Sequence, residues 1–278
     1  FSWGTSPDNA VYNAKVMEQV TEETAKTADD WLNLAEDSLE AGNQQEALRF
    51  ARKAQKLEPD NIDAEWFIIR QEVKDPDTLL RRIRMALEMG KNSLEKQGFF
   101  TEEQIGDFWQ IIETRPYMRL KEQFIALLVE FGMLRTAVRE AEDVIRLNTQ
   151  DNLGVRFTLI HLYAMLEEAD SAEALLKQFS KHDEGPMLLG LALLYYKLGE
   201  TEKAEKAARR LTKINKETRA FIRDELADNL ERKIKDIKDK GGYRPLSEEE
   251  LIVAVTENEY VYSHTPFFFN WLSKTLKM

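Results

Sequence analysis

A stretch of 34 residues, from Ala28 to Asn61, recurs in outline further along this chain. A repeat of this kind constrains the fold more than any isolated motif, because each copy has to pack against the next. The stretch reads ADDWLNLAEDSLEAGNQQEALRFARKAQKLEPDN and divides at Gly42 into two helical patterns. In the first, Trp31, Leu34, Ala35 and Ser38 fall three or four residues apart and share one helix face. In the second, Ala47, Ala51 and Ala54 do the same. Small side chains at those places let two antiparallel helices approach to the short end of the ~8–10 Å range of interaxial distances. Gly42 can enter the left-handed region that ends the first helix. Pro59 stands where the second helix must stop.

The order Trp, Leu, Ala, turn Gly, Ala, Ala, Pro resembles a tetratricopeptide repeat. With Gly132 in the place of Gly42, residues 118–151 form a second copy: Phe124 replaces Leu34, Leu128 replaces Ser38, and Ala137 and Ala141 replace Ala47 and Ala51. Its stop residue is Thr149. With Gly199 in that place, residues 185–218 form a third copy, carrying Leu191, Ala192, Tyr195, Ala204 and Ala208, with Lys216 as the stop. Residues 152–184 have the length of a unit but no turn glycine, and Ala172 and Ala174 fit only if the turn shifts by one residue. This stretch reads as a degenerate repeat. The resemblance implies an all-α, tetratricopeptide-like α-solenoid of antiparallel helical hairpins over residues 28–218, with capping helices at both ends.

The remainder is helical but less regular. Residues 62–117 fit the repeat poorly. Within them, Ala64–Lys74 reads as a helix ending before Asp75-Pro76, and Thr78–Gln97 as a helix with Leu79, Ile83, Ala86, Leu87 and Leu94 on one face. Thr101 with Gln104 has the form of a capping box opening a helix through Phe108, Trp109 and Ile112. Residues 219–278 supply the C-terminal cap. One helix is expected over Ala220–Lys240 with Ile222, Leu226, Leu230 and Ile234 on its dry side, because a solenoid's last unit would otherwise leave an apolar face in water. Ser247 with Glu250 opens a helix through Tyr260, and Thr265-Pro266 opens another bearing Phe267, Phe268, Phe269, Trp271, Leu272 and Leu276. In residues 1–27, Ser6-Pro7 is expected to start a helix with Val11, Val16, Met17 and Val20. Two phrases, Glu113-Thr-Arg-Pro-Tyr-Met-Arg119 and Asp151-Asn-Leu-Gly-Val-Arg156, resemble phrases in repeat proteins of the suppressor-of-tumorigenicity-7 type and in bacterial repeat proteins.

Composition narrows the function classes. Only 12 glycines and 7 prolines occur in 278 residues, too few for long loops or a collagen-like chain. A formal charge of −11 argues against nucleic-acid backbones and anionic lipid as partners. With no cysteine there is no thiolate nucleophile and no thiolate metal site, which fits a cytoplasmic protein. No apolar run reaches the ~18 residues that span a bilayer, so no membrane insertion is expected. His161, His182 and His264 lie far apart, none in an H-E-x-x-H pair, and no G-x-S-x-G elbow occurs. Gly90-Lys91-Asn92-Ser93 departs from a phosphate loop in two places: Met85 stands where the first glycine is required, and Asn92 where Ser or Thr is required. The acidic clusters Glu248-Glu249-Glu250 and Glu167-Glu168 suit helix starts. No catalytic residue, metal or cofactor is expected.

The resemblance places groove-facing side chains at the second, fifth, ninth and twelfth residues of each unit. In the 118–151 unit these include Arg119 and Glu122. In the degenerate unit they include Arg156, Ile160 and Tyr163, and in the 185–218 unit Leu189, Leu193 and Tyr196. The Lys and Asn that clamp a C-terminal carboxylate in chaperone-binding members are replaced by Leu32 and Glu36, and by Glu122 and Ala126. Two readings of this wall stand open. In one, Ile160, Tyr163, Leu193 and Tyr196 bury apolar side chains of a partner while Arg119 and Arg156 orient an acidic group. In the other, the same aromatics contact the next helix or the C-terminal cap folded into the groove. Arg115, Tyr117 and Arg119 are also suited to hydrogen bonding across a helix junction. Three consecutive phenylalanines cannot share one helix face, so Phe267–Phe269 must present at least one ring to a neighbour or to solvent. Homodimerisation through this tail is the simplest form of such a contact. The expected function is a non-catalytic interaction scaffold for another protein or peptide. The alternative is a regulatory or substrate-recruiting module of a larger enzyme.

Overall fold

The computed structural model describes residues 20–180 and 184–278; the expected helix after Ser6-Pro7 and His182 fall outside them. Among the described residues there are fifteen α-helices, one 3-10 turn and no strand. The chain divides into two compact units: the described part of Phe1–Met133 with Asp143–Leu153, and Leu134–Glu142 with Gly154–Met278.

The first unit begins with the hairpin α1 (Ala28–Glu40) and α2 (Gln44–Leu57). Thr27 and Asp30 cap α1 reciprocally, side chain to backbone in both directions. Asn43 caps α2, and its turn neighbour Gly42 has φ +81° with open space around it. Ala35, Ala47 and Ala51 are fully buried with Phe50, Phe67 and Ile68. The missing side-chain bulk of the alanines is what allows the two helices to close on each other. The poorly matching segment turns out to contain a hairpin of the same kind: α3 (Ile62–Glu72), capped by Asn61, and the long α4 (Pro76–Lys96), capped by Asp75. Next in this unit is α5 (Arg115–Glu130), followed by a turn at Gly132 with φ +70°.

The helix expected from Thr101 does not form. Thr101 and Gln104 do meet in a turn, but Gly106 at φ +112° breaks the chain away. The Gly106 and Phe108 amides donate to the Leu147 carbonyl at 3.1 and 3.0 Å, and Thr149 returns a bond to Gly106 at 2.8 Å. Phe108 is fully buried against Phe100, and a 3-10 turn, Ile112–Thr114, leads into α5. Tertiary bonding to the end of α6 (Leu134–Leu147) thus outweighs a local capping signal.

In the second unit the degenerate repeat is a hairpin, α7 (Val155–Leu166) and α8 (Ala169–Gln178). Glu167 takes the left-handed conformation, φ +61°, where other units have glycine. Ala172 is buried and Ala174 is exposed. The next hairpin, α9 (Gly185–Lys197) and α10 (Thr201–Ile214), turns at Gly199 with φ +72° and buries Ala204 and Ala208.

The single capping helix expected over residues 220–240 is two helices, α11 (Thr218–Leu226) and α12 (Leu230–Asp239). Asp228 at φ +57° ends the first, and the Asn229 amide closes the turn on the Asp224 carbonyl at 2.9 Å. Asp and Asn bear the left-handed region better than most residues, so the break costs little. Phe221 and Ile222 can then bury on one helix and Ile237 on the other. Lys233 joins the pieces, reaching Asp224 at 2.5 Å and Glu248 at 2.6 Å. Ser247 caps α13 (Glu248–Glu257), which stops at the buried Asn258 before the short α14 (Glu259–Ser263). The last helix, α15 (Phe268–Thr275), starts two residues after Pro266.

Candidate functional site

Among the described residues, one side of α1, α3 and α5 is left uncovered, and there these helices border a cleft of about 450 Å³. From α1 come Asp29, Leu32, Asn33 and Glu36; from α3 come Asp63, Trp66, Phe67 and Arg70; α5 adds Arg119. Leu32 and Trp66 are half-buried and form an apolar floor. Phe67, fully packed, lies under Arg70, whose guanidinium carbon is 5.4 Å from the ring centre. The rim is charged. Arg119 Nη2 donates to Asp63 Oδ2 at 2.6 Å, and Arg70 Nη2 to Glu36 Oε1 at 3.2 Å. Each pair bridges two helices, and each is open to solvent, so together they contribute little to stability but fix which charges face the cleft.

Counted from Ala28 and from Ile62, the cleft residues Asp29, Leu32 and Glu36 and the residues Asp63, Trp66 and Arg70 stand at the same second, fifth and ninth places. Sequence reasoning missed Trp66, Asp63 and Arg70 because it treated residues 62–117 as irregular. The signal was there in α3, since a step of 34 from Ala28 lands on Ile62. It fails only in α4, where Pro76 occupies the turn-glycine place and Arg81 that of the first alanine.

Of the expected groove residues, Arg119 lines the cleft, with Asp63 already bound to it. Glu122 is half-buried one turn along α5 and lies outside the lining. The expected groove residues of the second unit are taken up by its own packing. Ile160, Leu189 and Leu193 are fully buried, and Tyr163 is buried with its hydroxyl donating to Glu142 at 2.8 Å. Tyr196 packs on Phe268 and Trp271, ring centres 5.6 and 5.1 Å away. Arg156 is forked onto Glu184 through two bonds of 2.7 Å, with its guanidinium 4.2 Å from the Phe157 ring. In this structure these six side chains serve the second unit's own packing, and of them Tyr196 lies against the C-terminal helix. The junction reading fits Arg115, whose Nε donates to the Trp109 carbonyl at 2.9 Å. Of the three phenylalanines, Phe268 and Phe269 are buried and Phe267 is 71% exposed.

Other chemistry is sparse among the described residues. His161 is wholly buried, with Nδ1 on the Phe157 carbonyl at 2.6 Å and Nε2 on the Tyr262 hydroxyl at 2.7 Å. The carbonyl requires a proton on Nδ1, so Nε2 accepts from Tyr262. Burial pushes the imidazole down to about 4, which keeps it neutral. Among the described residues no group of three or more acidic, histidine or cysteine side chains is arranged to hold a metal ion, and no helix is long and apolar enough to cross a membrane.

No family model and no curated protein sequence matches the chain. Several solved structures are similar to it. A tetratricopeptide repeat protein from Parabacteroides merdae is 14% identical, with 90% of this chain and 99% of that chain covered and a TM-score of 0.46. YrrB, described as a TPR protein with an unusual peptide-binding site, is 18% identical over 69% of this chain and 88% of its own, with a TM-score of 0.41. A thermophilic TPR protein of Thermus thermophilus is 23% identical over 67% and 91%, with a TM-score of 0.35. The assignment of the fold stands on the chain's own hairpins, with left-handed turn residues at Gly42, Gly132, Glu167 and Gly199 and buried alanines on the second helices. The described residues form an all-α fold built of tetratricopeptide-like helical hairpins.

Proposed function

We propose that this protein is a non-catalytic interaction scaffold and that the cleft on α1, α3 and α5 receives an extended segment of another protein. The observation that carries the reading is the half-buried Trp66, held with Leu32 at the floor of a charged cleft. Large aromatic side chains left partly in water are the commonest anchors of protein interfaces. The size is suitable. Three neighbouring helices about 9 Å apart present a face roughly 18 Å across, which an extended chain at about 3.3 Å per residue crosses in about five or six residues. The share of the expected groove that this proposal keeps is Arg119, with Glu122 at its margin.

A random peptide library displayed on phage, selected on the wild-type protein, tests the reading. Selected peptides are expected to bind Trp66→Ala at least about tenfold more weakly, the loss of a central aromatic anchor. Met85→Ala, on the exposed face of α4, should have no effect. Circular dichroism confirms that both variants stay folded. Peptides that bind Trp66→Ala as well as wild type, or a selection that yields none, would refute the proposal.

A further inference from the structure

We infer that the segment received by this cleft is cationic, carrying a lysine or arginine next to an apolar residue. The inference rests on the cleft being the binding site and adds the chemistry of its occupant. Three carboxylates, Asp29, Glu36 and Asp63, face two guanidinium groups. Neither guanidinium is uncommitted: Arg119 is held by Asp63 at 2.6 Å and Arg70 by Glu36 at 3.2 Å. An acidic ligand would have to displace a carboxylate already in place and would meet Asp29 as well. Asp29 is exposed and has no ion pair among the described residues, so an incoming ammonium or guanidinium group finds an unneutralised carboxylate at the rim. The floor agrees with this. Trp66 lines the cleft half-buried, and an indole attracts a cation whose aliphatic stem can cover Leu32. The net charge of −11 draws cationic segments in and repels anionic ones at longer range. The expectation that Arg119 orients an acidic group is thereby reversed, because the tertiary structure supplies that acid from α3.

The test uses two pools of synthetic seven-residue peptides with Leu or Trp at the centre, one pool flanked by lysines and the other by glutamates. Binding is read by fluorescence anisotropy. The lysine pool is expected to bind about tenfold tighter than the glutamate pool at low salt, with most of that preference lost at several hundred millimolar salt as the charges are screened. Asp29→Asn should weaken the lysine pool about fivefold, the scale of one exposed charge contact, and leave the glutamate pool unchanged or slightly tighter. If the glutamate pool binds as well or better, and its binding depends on Trp66, the inference fails while the cleft remains the site. If neither pool binds, or binding ignores Trp66→Ala, the cleft reading fails and this inference falls with it.

Discussion

Replacing Glu250 by glutamine should stabilise the second unit at neutral and alkaline pH and do nothing at acid pH. Glu250 lies on α13 with 5% of its surface exposed, and its Oε2 sits against the start of α9, 3.5 Å from Asn215 Nδ2. Burial pushes its carboxyl up from 4.5 to about 6; Glu184 adds to the rise, while the Leu246 amide, Asn215 and Arg156 oppose it. Because the folded value lies above the unfolded one, the folded state holds the proton more tightly. Stability is therefore complete below about 4.5, falls as the pH rises through about 6, and stays lower above it. The gap corresponds to roughly 2 kcal/mol. Glutamine cannot ionise, so the variant escapes that loss. With a urea slope of about 1.5 kcal/mol per molar, its midpoint near pH 8 should rise by about 1.3 M, against almost no change near pH 4. Urea titrations read by hydrogen exchange of the α9 and α13 amides follow the second unit alone. An equal gain at both pH values, or a loss near pH 8, would show that ionisation of this buried carboxylate is not what limits stability there.

Two further predictions test the hairpin geometry. Glu167→Gly relieves a left-handed residue that costs roughly 1–2 kcal/mol, partly offset by the greater freedom of glycine in the unfolded chain, and surrenders a long 3.6 Å pair with Lys197, whose ammonium keeps its bonds to the Ala164 and Met165 carbonyls. Thermal denaturation should show a rise of about 0.5 kcal/mol, and a fall would mean that the turn is held by the glutamate side chain instead. Gly190→Ala should destabilise by about 1–3 kcal/mol despite the better helix propensity of alanine, because a Cβ there would lie 3.0 Å from Ile160 Cγ2 and 3.2 Å from its Cγ1. In an Ile160→Ala background, where both Cγ atoms are gone, the same substitution should cost much less; a stabilised Gly190→Ala would refute the close α7–α9 crossing.

The helices that repeat were legible because their signals are local. Glycine at a left-handed turn and alanine at a close crossing are demanded by backbone sterics and helix spacing, whatever surrounds them. Gly42, Gly132 and Gly199 all occupy that conformation, and Ala47, Ala51, Ala137, Ala141, Ala204 and Ala208 are all fully buried. Glu167 shows the limit of the rule, since a non-glycine residue can be forced into the same turn by the packing of α7 and α8. The failures share a cause. The capping pair Thr101 and Gln104 lost to bonds with Leu147, more than forty residues away in the chain. The run of apolar residues four apart from Ile222 to Ile234 was split at Asp228, whose left-handed turn lets Phe221 and Ile237 bury on separate helices.

Which groove stays open was a tertiary decision. By sequence alone, Ile160, Leu189, Leu193 and Tyr196 look as available as Leu32 and Trp66, since all sit at groove places of their helices. Only the folded chain shows Ile160, Leu189 and Leu193 fully buried and Tyr196 packed on Phe268 and Trp271, while Leu32 and Trp66 stay half-buried among the described residues. The repeat pattern determined that hairpins form and which faces they share. Long-range packing decided which of those faces is consumed inside the protein, because the free energy of burying Phe268 depends on Tyr196 and that of burying Phe269 on Phe221, residues far upstream that no local pattern records.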